Sequence, residues 1–116
     1  MTTELFTNTG GISRDAADRA VQWLVDNAEE IARRKAMMVY HEDRLRVVKS
    51  TAMALSDEKS IAAKEAEAYR SGVYKTAVEE RRNAVFNYER LMNSKMACIA
   101  TKELFQTFEA SLRHIV

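Results

Sequence analysis

The sequence predicts an all-α protein, a long antiparallel helical hairpin whose two long helices are joined by a short helical connector. Three observations predict it. No proline occurs in 116 residues, and the three glycines fall at only two places, Gly10–Gly11 and Gly72. Proline and glycine are the usual breakers of helices and makers of tight turns, so their scarcity leaves long stretches with nothing to stop a helix. Within those stretches, apolar residues recur in steps of three, four and seven, the period of one helical stripe. The single polar break wide enough to turn the chain, Ser56-Asp57-Glu58-Lys59-Ser60, lies near the middle.

Residues 1–12 read as a flexible N-terminal tail, and residues 13–116 as one helical domain. Leu5 and Phe6 sit in the tail among Thr, Asn and Gly, where they could dock on a partner or on the body. Ser13 is suited to cap a helix, and Asp15 falls in its first turn, where a carboxylate favours the positive end of the helix dipole. The first helix is predicted from Arg14 to about Leu55. Its stripe is Ala17, Val21, Leu24, Ala28, Ile31, Met38, Leu45, Val48, Ala52 and Leu55. The stripe weakens in the middle, where Arg34 or Lys35 and then His41 or Glu42 take its positions. After the break, either Ser56 or Ser60 could cap the Ala/Glu/Lys-rich segment 61–70. Ser71-Gly72 then predicts a kink or interruption, because glycine inside a helix costs about 1 kcal/mol relative to alanine.

From Val73 onward nothing breaks the helix again. Val78, Val85, Tyr88, Met92, Ile99, Phe105, Phe108, Leu112 and Ile115 form its stripe. A two-helix hairpin leaves each stripe half covered, so the sequence predicts self-association into a helical bundle, a dimer first. Phe105, Phe108 and Leu112 are the residues expected to meet the second copy.

Composition narrows the function. Apolar residues make up 47% of the chain and charged residues 30%, too apolar for a disordered segment; the net charge is +1. A dedicated nucleic-acid binder is normally clearly basic. Cys98 is alone, which precludes an intramolecular disulfide and suits a reducing compartment. The start, MTTELFTNTGG, lacks a signal peptide's basic and apolar regions, and no apolar run approaches membrane-spanning length. The expected location is the cytoplasm.

Catalytic chemistry finds little foothold. His41 and His114 stand far apart, with no HExxH or Glu-x-x-His pair, so His41 reads as a structural or surface histidine and no metal or cofactor is expected. Cys98, between Ala97 and Ile99, reads as a small core residue; a nucleophile would want a base and an electropositive setting. The expectation is a non-enzymatic protein. One constellation suggests binding instead. In an antiparallel hairpin, Arg44, Arg46 and Lys49 come level with Arg81 and Arg82, and Tyr40, Tyr74 and Tyr88 lie near enough to stack. Basic groups that track phosphates beside aromatics that stack on bases are what single-stranded nucleic acid requires. Glu42, Asp43, Glu79 and Glu80 share the stretch, and ordinary ion pairing is the competing reading.

The stretch Ala62-Ala63-Lys64-Glu65-Ala66-Glu67-Ala68-Tyr69, followed by Tyr74, resembles a loose group of small helical proteins of bacteriophages and prophages. The Ala-rich segment 27–36, Tyr40 and Lys49-Ser50 add to the likeness, which covers roughly residues 20–95. Members are often encoded beside phage recombination genes. The resemblance implies a helix–connector–helix fold and a phage-type accessory protein acting in DNA recombination or replication, through single-stranded DNA or a recombination protein. The segment 95–102 departs from the group, which carries an Arg-rich end there. The alternative expectation is an interaction module that captures or inhibits a host protein, such as a nuclease or defence factor.

Overall fold

The structure, a computed structural model, describes residues 11–115, with side chains through His114. It is an all-α helical hairpin of three helices, α1 (Arg14–Leu55), α2 (Ile61–Arg70) and α3 (Gly72–Ile115). Of the described residues 91% are helical, and none forms a strand. The roles expected for Leu5 and Phe6, and for the Ile115 side chain, lie outside the described residues.

The helix boundaries follow from local chemistry. Ser13 caps α1: its Oγ accepts the Ala16 N–H at 3.1 Å, and its carbonyl accepts the Ala17 N–H. Helix α1 then runs for 42 residues without a breaker and ends where Ser56 N–H closes back on the Met53 carbonyl. Of the two possible caps for α2, Ser60 takes the role. It is extended (φ −95°, ψ 153°), and its Oγ accepts the Ala63 N–H at 3.0 Å. Ser56 serves the connection instead, accepting the Glu58 N–H and donating to the Glu67 carboxylate.

The interruption expected at Ser71-Gly72 is a single residue wide. Ser71 N–H and Oγ both donate to the Ala68 carbonyl, which closes α2. The same Oγ accepts the Tyr74 N–H at 3.2 Å, and the Ser71 carbonyl accepts the Lys75 N–H, which opens α3. One serine thus satisfies backbone groups at both helix ends that would otherwise lack partners.

The chain divides into two units, Met1–Ile31 with Arg90–Val116, and Ala32–Glu89. In the first, α1 and α3 run antiparallel. The Arg14 guanidinium lies 5.9 Å over the Phe105 ring, and Gly11 abuts the ring of Phe108. Gly11 and Ile12, at the end of the stretch read as tail, are buried, and so are Ala16, Ala17 and Ala20. In the second unit α1 packs against α2 and the first part of α3, and its most buried residues are Ala68, Ala77 and Ala84.

These seams are built from small side chains. Ala68 is 1% and Ala77 2% exposed, yet among the described residues no large side chain is fully buried. Alanine lets two helices approach closely and buries little apolar area of its own, so the large residues flank the seam. Three positions of the expected α1 stripe differ. Val21, Ala28 and Leu55 are exposed, Leu55 at 79%, while Met38, Leu45, Val48 and Ala52 turn inward. Leu55 is the last residue of α1. On α3, Val78, Val85, Tyr88, Met92, Ile99, Phe105 and Phe108 are half-buried, and Leu112 is exposed.

Candidate functional site

The second unit holds the predicted basic constellation, and most of its cations have carboxylate partners. Arg44 Nε lies 3.6 Å from Glu80 Oε2, and Arg81 Nη2 lies 3.7 Å from Glu42 Oε1. Arg82 Nη1 donates to Glu79 Oε1 at 2.6 Å, one turn earlier on its own helix. Lys49 sits level with α2 rather than with Arg81 and Arg82, and its Nζ donates to Glu65 Oε1 at 2.9 Å. Arg46 makes no ion pair among the described residues; it lines a shallow recess with Glu42, Leu45 and Arg81. Four of the five cations are thus distributed among separate acidic partners, Glu80, Glu65, Glu42 and Glu79, and Arg46 alone of the five is without one among the described residues.

The tyrosines are placed differently from one another. Tyr74 is half-buried and meets Tyr69 edge-on, with ring centroids 5.2 Å apart. Tyr88 is half-buried on α3, and Tyr40 stands exposed on α1 with its ring edge-on to His41. Phe105 and Phe108 serve contacts inside the first unit, and of the residues expected at a self-association face only Leu112 is exposed.

The arrangement around Lys49 is one that the sequence does not announce. Tyr69 Oη donates to the same Glu65 oxygen at 2.9 Å, and Lys49 Nζ lies 4.8 Å from the Tyr69 ring centroid, a cation–π contact. The Tyr69 hydroxyl and the Glu65 carboxylate hold the Lys49 ammonium above the usual amine range. Lys49 first, then Tyr69, holds the Glu65 carboxyl below its ordinary value. Both groups are solvated, so the tether adds little stability at neutral pH. Its pH dependence has a definite sign. The Glu65 contribution is complete above the ordinary carboxylate pKa of 4.5 and is lost as pH falls through the lowered value. The Lys49 contribution is complete below the ordinary 10.5 and is lost as pH rises through the raised one. Glu65→Gln should therefore narrow the gap between thermal midpoints at pH 7 and in strong acid; a gap equal to wild type would show the tether idle.

A shallow groove of about 250 Å³ lies along Met37, His41, Glu80, Asn83, Ala84 and Asn87. His41 is 16% exposed, and its Nδ1, buried and without a hydrogen bond, stands 3.8 Å from Glu80 Oε2. Arg44 shares that carboxylate, so an ion pair already occupies the one acid His41 faces. Burial pushes the Cys98 thiol up, away from the thiolate that nucleophilic chemistry needs. Among the described residues no three His, Cys, Asp or Glu side chains gather to hold a metal, and no helix is long and apolar enough to cross a membrane.

A further groove is apolar. Val47, Val48, Thr51, Ala52, Leu55 and Val73 line a groove of about 370 Å³ with Arg44 at its edge. Val47 and Val73 are each more than 60% exposed. In the first unit, Val21, Val25, Met96 and Leu104 are exposed as well. Comparison of the chain with family models, with curated proteins and with solved structures returns no match.

Proposed function

We propose that this chain is a non-enzymatic interaction protein that works by presenting helix faces to other proteins. The observation that carries this reading is the inversion of its apolar residues. Alanines fill the seams, while Val25, Val47, Leu55, Val73, Phe86 and Leu104 stand exposed. Of these, Val47, Leu55 and Val73 line one groove, and contiguous exposed apolar surface marks protein contact sites. The resemblance to phage accessory proteins supplies a setting for it, as a factor that holds a recombination or replication protein, and capture of a host protein uses the same chemistry. The pairing of Arg44, Lys49, Arg81 and Arg82 with carboxylates favours protein contact over a single-stranded DNA track, because a paired cation has less net charge to offer a phosphate.

A tagged chain purified from its cells, with and without nuclease, tests this. A stoichiometric protein partner that survives nuclease and is weakened by Val25→Glu is the expected result. A single-stranded oligonucleotide should not shift at low salt with protein at tens of micromolar, about the weak limit of non-specific binding. Binding that falls with salt at about −0.7 per phosphate contact, and that weakens when Arg46 and Arg81 are replaced, would overturn the reading.

A further inference from the structure

The two units treat their half-buried cations differently. In the second unit Arg44, Lys49 and Arg81 reach carboxylates on a neighbouring helix. In the first, Lys95 and Lys102 on α3 are half-buried, and neither forms an ion pair among the described residues. The carboxylates of α1 at this level are engaged elsewhere. Asp26 accepts the Gln22 side-chain amide at 2.7 Å, and Glu29 and Glu30 make contacts of their own.

Both lysines line one groove of about 360 Å³, with Ile99 between them and Leu24, Ala28 and Ile31 of α1 opposite. Seven residues separate them along α3, close to two turns, so they stand on one face about 10.5 Å apart. The other four lining residues are aliphatic. Taking an ammonium partly out of water without a counter-charge is costly, and a carboxylate brought in from outside offsets that cost.

We infer that this groove takes an amphipathic helix of a partner protein, with carboxylates seven residues apart over Lys95 and Lys102 and aliphatic side chains between them on Ile99. This gives a chemistry to the partner in the protein-contact reading above and rests on it. Charge and spacing together select the occupant. Residues i and i+7 of a helix share a face at the same separation as the lysines, and i+3 and i+4 fall between them, over the aliphatic floor. Laying the apolar face of a helix into a groove is a recurrent mode of recognition. An extended segment does not match: a step of about 10 Å is three residues, and residues i and i+3 of a strand face opposite sides. Single-stranded nucleic acid wants aromatic rings beside its cations, and none lines this groove. A fatty acid has one carboxylate and leaves one lysine without a counter-charge.

Designed peptides test the inference. The probe is a fluorescein-labelled, alanine-based helical peptide with Glu at two positions seven apart and Leu at the third and fourth positions after the first Glu. Fluorescence anisotropy with the full chain should show saturable binding below about 1 mM, weakened by added salt. The same peptide with Lys in place of both Glu should bind at least about tenfold more weakly. On a Lys95→Glu/Lys102→Glu chain the order should reverse, with the Lys peptide at least about tenfold the tighter. Arg46→Glu, in the second unit, should alter neither affinity by more than about twofold.

No saturation by the Glu peptide, or equal affinities for the two peptides, would overturn the inference; a partner recovered from cells through other faces would still uphold the protein-contact reading. Discrimination between the peptides with no partner recovered from cells would count against that reading alone. Displacement of the Glu peptide by an equal concentration of oligothymidylate, or by phosphatidylserine vesicles, would assign the lysines to phosphate and overturn the helical occupant. A doubled mass that returns to 13.2 kDa in Lys95→Glu/Lys102→Glu would make the occupant a second copy instead. Should that variant fail to fold, the preference of the wild-type chain between the two peptides still decides.

Discussion

Ala77→Leu should lower the thermal midpoint by roughly 4–12 °C, while Ala97→Leu, at an exposed position on the same helix, should leave it nearly unchanged. Ala77 is 2% exposed. Its seam holds helices close because the side chain there is a single methyl. Three added carbons must force off-rotamer neighbours or push the helices apart, at a cost of about 1–3 kcal/mol. In a domain of this size each kcal/mol is worth on the order of 4 °C. Leucine and alanine have similar helix propensities, so the comparison isolates packing. Equal midpoints for the two variants, read by circular dichroism, would show that close approach at Ala77 does not support the fold.

The second large effect changes sign with its background. A Cβ built on Gly11 would overlap Cε1 and Cζ at the edge of the Phe108 ring. Overpacking of that kind costs about 1–3 kcal/mol. Against it stands the lower entropy of an unfolded chain with alanine in place of glycine, worth about 0.4–1 kcal/mol in favour of the folded state. With Phe108 present the clash outweighs that entropy gain, and Gly11→Ala destabilises. In a Phe108→Ala background the clash is gone, and the same substitution should stabilise by the entropic amount. Denaturant unfolding of the four chains measures the coupling, expected between about 0.5 and 3 kcal/mol. Additive effects would place Gly11 away from the Phe108 ring.

The helices are legible in the sequence because their signals are local. Ser13 announces a cap, Ser56 and Ser60 compete for a second that the structure gives to Ser60, Ser71-Gly72 announces a break, and the absence of proline leaves nothing between them to contradict a helix. Which face turns inward is less legible. Leu55 and Val21 fit a stripe as well as Met38 and Leu45 do, because apolar residues stand on more than one face of α1 and periodicity alone does not separate the faces. The ionic contacts are hidden for a different reason. Glu79–Arg82 is a local pair and can be read from spacing. Lys49–Glu65 depends on α2 lying back along α1, and Arg44–Glu80 on the register between α1 and α3. A count of basic residues at one level carries neither fact. Phe105 and Phe108 look, from sequence, like contacts for a second copy because their partners, Arg14 and Gly11, stand at the other end of the chain.

Ser71 makes the junction of α2 and α3 behave as an index mark. With one residue closing one helix and opening the next, the junction has no slack in which to absorb a change of length. A residue inserted after Gly72 would advance the phase of everything beyond it by about 100°. Ala77 and Ala84, seven residues apart, would rotate off the seam together and bring bulkier neighbours in. An insertion among residues 57–59, where the chain is not helical, leaves that phase intact. The protein should thus tolerate changes of length at one of its two junctions and reject them at the other.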